Sequence, residues 1–253
     1  MKWTRRGFLP VLGGTLLRGQ SRPGMVAAAH ALAIEAGEAA LGQGANALEA
    51  AVVTSGVLNV VEPYASGVGG GGFALIESPR AEVSLVIDSR VTAPAAASAR
   101  MFRGLDPEEV ESSGLAVGVP GTPLCWRRMI ALSREHLAGR MTLTEALQPA
   151  IRLAREGFPV SDTFVATLER HRERLSENAE ARRLFVDPQY SEGSIARNPD
   201  LAATLEALEA TFYRGTMATA LIESIGETGG RIVPEDLRFY DVRYRQALQG
   251  SYR

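Results

Sequence analysis

Cysteine is almost absent from this chain of 253 residues: Cys125 stands alone, so no internal disulfide can form. Histidine is nearly as scarce, and His30, His136 and His171 lie too far apart to offer zinc-ligand spacing with a single thiol. No metal and no cofactor is expected. Lysine is missing beyond Lys2, so arginine carries the positive charge, a bias that reflects base composition better than a design for anions. Charge of one sign is not in excess either. With 27 basic and 29 acidic residues the net charge is -2, so no overall field draws the chain to nucleic acid or anionic lipid. A long apolar run is also lacking, and nothing approaches the ~20 residues that span a bilayer. What remains is 45% hydrophobic and 22% charged, the balance of a globular protein able to bury a core in one continuous domain.

The first residues read as a signal. A charged start is followed by apolar residues from Phe8 to Leu17, and Thr4-Arg5-Arg6-Gly7-Phe8-Leu9 resembles the twin-arginine export address. No small-x-small cleavage site stands near Arg18 to Pro23, so a frayed terminus or a misassigned start stays open as the alternative. Residues 1–23 are assigned to the leader, the domain to residues 24–253, and the location to the periplasm or the exterior.

Apolar spacing from Gly24 to Gly44 predicts a helix. Asn46, with Glu49 three residues on, predicts a capping box opening a second helix, Ala47 to Val61, apolar on nearly all sides and therefore central. Glu62-Pro63 ends it. Phe73 to Glu77 and Val83 to Asp88 are short β-type runs joined by Ser78-Pro79-Arg80-Ala81-Glu82, a hairpin. From Pro120 the pattern turns helical, with expected helices at Leu124 to His136, Thr142 to Glu156, Thr163 to Asn178, Leu201 to Leu208 and Met217 to Thr228. The fold class expected is α/β of the α+β kind, a layered sandwich with a helix-rich second half.

Two features invite a functional reading. Gly67, Gly69 and Gly72 have the spacing of a dinucleotide fingerprint, but that fingerprint needs a strand before and a helix after. Here the order is reversed. The glycines are expected to make a tight turn between helix and sheet, through positive φ and close backbone approach. Arg90, at the end of the second strand, offers a rigid fork for a carboxylate, and Asp88 is its candidate partner in a plain structural ion pair or a member of the same site. His30 fits helix packing, His136 and His171 fall in solvated helical stretches, and Cys125 reads as a small buried residue.

Several segments together resemble the γ-glutamyltranspeptidase family: 24–30, 44–51, Val61 through the glycine run to Phe73, Asp88-Ser89-Arg90 through Ala96, 113–121, 147–159, 197–201, 212–215 and 248–253. The resemblance covers residues 24–253 in the family's order. It implies an N-terminal nucleophile hydrolase with an αββα sandwich, here partial. Such enzymes are precursors that cut themselves and use the freed N-terminal threonine as nucleophile and its α-amine as base. The substrate implied is a γ-glutamyl compound such as glutathione, its acyl group passing to water or an amino acid. By this resemblance Arg90 binds the α-carboxylate of the glutamyl group.

Two departures qualify it. Val91 stands where the family carries an acidic residue, which leaves the acyl preference open to a related acylase acting on a β-lactam side chain. No threonine here has the context of the processing site. The chain is therefore expected to be the N-terminal part of a large subunit, with no catalytic residue of its own, and to need a small subunit that carries the threonine. The other reading is a non-catalytic remnant or a separately encoded subunit.

Overall fold

Helix α1 (Ala31–Gly42) opens the fold that a computed structural model describes over residues 24–252; the leader assignment at residues 1–23 lies outside it. The helix is shorter than its apolar spacing predicts, because residues 24–30 are not helical. His30 takes the N-cap instead, its Nδ1 accepting the Leu32 N–H at 3.2 Å.

Helix α2 (Ala47–Val61) forms where the pattern placed it. Asn46 Oδ1 accepts the Leu48 and Glu49 N–H groups, and Glu49 returns a carboxylate oxygen to the Asn46 N–H at 3.0 Å, so the box is complete. Glu49 is only 1% exposed, and its other oxygen accepts the N–H groups of Arg140 and Met141 at 2.7 and 2.8 Å. That carboxylate ties the start of α2 to a loop far along the chain. Val52, Val53, Val57 and Val61 on α2 are fully buried, as its all-round apolar sequence requires.

Strands β1 (Phe73–Ser78) and β2 (Val83–Asp88) form the predicted antiparallel hairpin, with Phe73 opposite Asp88 and Ser78 opposite Val83. Residues 79–82 close it through a single 3-10 turn. Helix α3 (Pro107–Ser112) comes next, then α4 (Thr122–His136) and α5 (Leu143–Glu156), the latter begun by a second capping box from Thr142 and Glu145. A two-residue strand β3 (Phe158–Pro159) pairs with β4 (Ile195–Ala196) across an intervening helical stretch: α6 (Asp162–Arg170), α7 (Arg172–Glu177) and α8 (Ala179–Ala181). Helices α9 (Pro199–Thr211), α10 (Thr216–Glu227) and α11 (Pro234–Phe239) lead to strand β5 (Arg243–Arg245), which pairs with β2. The sequence predicts one helix over Thr163 to Asn178. The chain instead breaks at His171, where no proline or glycine stands, and the turn lets Arg174 bond the Glu111 carbonyl at 3.1 Å.

The core sits between α1, α2, α4, α5 and α9 and one face of the three-stranded sheet β1-β2-β5. Ile76 and Ile87 point into it. The opposite face presents Phe73 and Leu75, 64% and 68% exposed. Helices on one side and an open sheet face on the other make one half of the expected αββα sandwich. Among the described residues no helix is long and apolar enough to cross a membrane.

Candidate functional site

The site is built where the glycine run, the end of β2 and the start of α4 cross. Asn59 on α2 donates Nδ2 to Ser66 Oγ at 2.8 Å, fastening the helix to the loop after it. The Gly70 N–H bonds the Gly67 carbonyl at 3.1 Å, which closes a turn. The Gly70 carbonyl then accepts the N–H groups of Gly121 and Thr122 at 2.8 and 3.1 Å. Gly72 holds Ser89 three times: its carbonyl accepts the Ser89 N–H at 2.9 Å and the Ser89 hydroxyl at 3.0 Å, and its N–H donates to the Ser89 Oγ at 3.3 Å.

None of the glycines in the run has a positive φ, so half of the reason expected for them is wrong. The other half holds at Gly71, where a Cβ would lie 2.2 Å from the Ser89 carbonyl oxygen. Gly121 is tighter still, with 1.9 Å to the same oxygen and 2.3 Å to the Tyr240 hydroxyl. Close backbone approach, with no demand for left-handed geometry, explains glycine at both positions.

Arg90 leaves this knot pointing outward and is exposed. Its main chain is gripped on both sides: the N–H bonds Asp88 Oδ1 at 3.1 Å, and the carbonyl accepts the Tyr240 hydroxyl at 3.1 Å. Asp88 does not pair with the Arg90 guanidinium. Its other oxygen takes Nε and a terminal nitrogen of Arg245, each at 2.7 Å. The Arg245 contact, then the Arg90 N–H, hold the Asp88 carboxyl below the usual range. Among the described residues the Arg90 guanidinium has no carboxylate within ion-pair distance, so the plain structural ion pair is not formed.

Tyr240 stacks on Tyr213, with ring centroids 6.0 Å apart and planes 4° from parallel. The Tyr213 hydroxyl donates to the Pro120 carbonyl at 2.8 Å. Burial pushes the Tyr240 phenol up to about 12 and Tyr213 higher, so both stay protonated donors at neutral pH. Sequence reading missed Tyr240 and Arg245 because they lie 150 and 157 residues from the groups they hold.

Beside the knot a groove of about 800 Å³ runs along β1 and α2, lined by Asn59, Ser66, Gly70, Phe73, Trp126 and others. Trp126 is 2% exposed and donates its indole N–H to Ser55 Oγ at 3.0 Å. Asn59 Oδ1 is buried with no hydrogen-bond partner. Cys125 is buried, and that burial pushes its thiol up, away from the reactive thiolate. His30 serves as a cap, and His136 and His171 lie at helix ends away from Arg90. Among the described residues no group of three or more His, Cys, Asp or Glu could hold a metal ion.

A family profile described as Gamma-glutamyltranspeptidase matches residues 33–253. The chain is 34% identical over 243 residues to the glutathione hydrolase proenzyme of Bacillus subtilis (strain 168), covering 92% of this chain and 40% of that protein. It therefore spans well under half the length of that relative. The crystal structure of Helicobacter pylori gamma-glutamyltranspeptidase superposes with a TM-score of 0.84 at 35% identity, over 92% of this chain and 68% of that one. Cephalosporin acylase from Bacillus halodurans superposes with a TM-score of 0.71 at 27% identity, over 88% of this chain and 43% of that one. The motifs read in the sequence, the half sandwich and these likenesses agree: the chain belongs to the γ-glutamyltranspeptidase family.

Proposed function

We propose that residues 24–253 form the substrate-orienting part of an enzyme that cleaves γ-glutamyl amides such as glutathione and passes the acyl group to water or an amino acid. One observation carries this reading: an exposed guanidinium with no carboxylate in ion-pair distance among the described residues, on a backbone held at both its N–H and its carbonyl. A planar fork held this way can take a carboxylate bidentately, and fixing its root lowers the ordering that binding would otherwise require. Arg90 binds the α-carboxylate and so fixes where the γ-carbonyl carbon lies. The nucleophile in this reading is a threonine carried by a small subunit. Its hydroxyl attacks the amide carbon, its own α-amine takes the proton and hands it to the departing amine as the C–N bond breaks, and the acyl group stays as an ester on the threonine until water or an amino acid takes it. A leader at residues 1–23 would send the protein to the periplasm or outside the cell.

The test is release of p-nitroaniline from γ-glutamyl-p-nitroanilide by the full-length precursor. Arg90→Ala is expected to raise KM at least tenfold, with a smaller effect on kcat. An unchanged KM overturns the assignment.

The likeness to a cephalosporin acylase favours a second reading, in which a related acyl group is cleaved. Val91 is 39% exposed beside Arg90 and offers an apolar surface there. A glutaryl anilide turned over faster than the γ-glutamyl anilide would select that reading.

A further inference from the structure

We propose that Tyr240 is a positioning residue for Arg90, acting through the Arg90 main-chain carbonyl. The inference rests on the assignment of Arg90 to the substrate carboxylate.

Arg90 lies in the irregular stretch after β2, and the next backbone group along it hydrogen-bonded to a distant segment is the Thr92 carbonyl, which accepts the Val119 N–H at 2.8 Å. On the N-terminal side Asp88 Oδ1 takes the Arg90 N–H. On the C-terminal side the Tyr240 hydroxyl, 3.1 Å from the Arg90 carbonyl, hydrogen-bonds the next peptide plane, which Gly71 backs closely. Together they set the direction in which the Arg90 side chain leaves the backbone.

Tyr240 can do this because its ring cannot swing. It lies flat against Tyr213, whose hydroxyl donates to the Pro120 carbonyl, and its hydroxyl fits against Gly121, where any side chain would collide with it. The phenol thus links the Arg90 segment to the segment leading into α4. A shift of the guanidinium by about an ångström at the substrate end turns a bidentate carboxylate contact into a single one.

The experiment compares full-length wild type, Tyr240→Phe, Arg90→Ala and the double variant on two substrates. One is γ-glutamyl-p-nitroanilide, and the other is 4-aminobutyryl-p-nitroanilide, which lacks the α-carboxylate. Tyr240→Phe keeps the stacked ring, and its thermal midpoint reports whether the fold survives. The expected result is a KM for the γ-glutamyl substrate raised about three- to tenfold, the range for losing one hydrogen bond. kcat should stay within about twofold, and the 4-aminobutyryl substrate should be unaffected. In the Arg90→Ala background the Tyr240 change should have no further effect, since it acts through that side chain.

Equal losses on both substrates, or losses that add to those of Arg90→Ala, overturn the proposal and leave Tyr240 a packing residue. A silent Tyr240→Phe alongside a damaging Arg90→Ala overturns this inference alone. A silent Arg90→Ala overturns the parent assignment and this inference with it.

Discussion

Arg245 on β5 takes the Asp88 carboxylate through two nitrogens at 2.7 Å, although the residue directly opposite Asp88 in the sheet is Arg243. The diagonal pairing matters for what it withholds. Asp88 is the carboxylate nearest in sequence to Arg90, and while Arg245 occupies it the Arg90 guanidinium stays available to an outside anion.

Removing Arg245 should therefore act on both groups. In Arg245→Ala the Asp88 carboxyl is expected to titrate nearer the ordinary value of about 3.9, read by carbon NMR of the carboxyl signals. Because its folded pKa is depressed, the stability Asp88 contributes is present above that ordinary value and is lost as pH falls below it. Stability curves of wild type and Arg245→Ala should differ at neutral pH and converge only as pH falls through the folded pKa of Asp88, below the ordinary carboxyl range. Curves separated by a constant amount at every pH would show that the pair does not set that titration.

Gly121 and Gly69 should respond in opposite ways to the same change. A methyl at Gly121 meets the Ser89 carbonyl oxygen at 1.9 Å and the Tyr240 hydroxyl at 2.3 Å, whereas at Gly69 nothing lies within 4 Å. Gly121→Ala is expected to cost about 3 kcal/mol, and Gly69→Ala no more than about 0.5 kcal/mol, in urea unfolding. Equal costs would mean that the backbone around Ser89 yields more easily than its hydrogen bonds imply.

Glu49→Ala should be among the most damaging single changes in α2. It strands the buried N–H groups of Arg140 and Met141 and opens the capping box at Asn46. A loss of about 3 kcal/mol is expected, measured by chemical denaturation. Hydrogen exchange at Arg140 and Met141 should quicken together, and protection unchanged at both would contradict the link.

Alkaline titration tests Tyr240 directly. Its folded pKa, about 12, stands above the ordinary phenol value of 10.0, so the stability it contributes is complete below pH 10 and is lost as pH rises toward 12. Tyr240→Phe should flatten the fall in stability across that window. If wild type and variant lose stability in parallel there, other groups govern it.

How much the sequence disclosed depends on the range of each interaction. The capping box of Asn46 and Glu49 and the hairpin through Ser78 to Glu82 are written within a few residues, and both were legible. The break at His171 goes with Arg174 reaching Glu111, 63 residues away, and carries no local mark. Strand β5 reads Arg-Tyr-Arg, with no apolar alternation to announce it. Arg90 was legible only through resemblance to a family, because an arginine at a strand end is common. The residues that make it distinctive, Tyr240 on its carbonyl and Arg245 on the neighbouring Asp88, come near it only in three dimensions.

Trp126 gives the molecule an optical property that comes from its place between α2 and α4. The sequence has one other tryptophan, Trp3, so in a Trp3→Phe background a single indole supplies the tryptophan emission. It is 2% exposed, bonded to Ser55, and borders the groove along the glycine run. Its fluorescence is thus a native gauge of what enters that groove, read without a label.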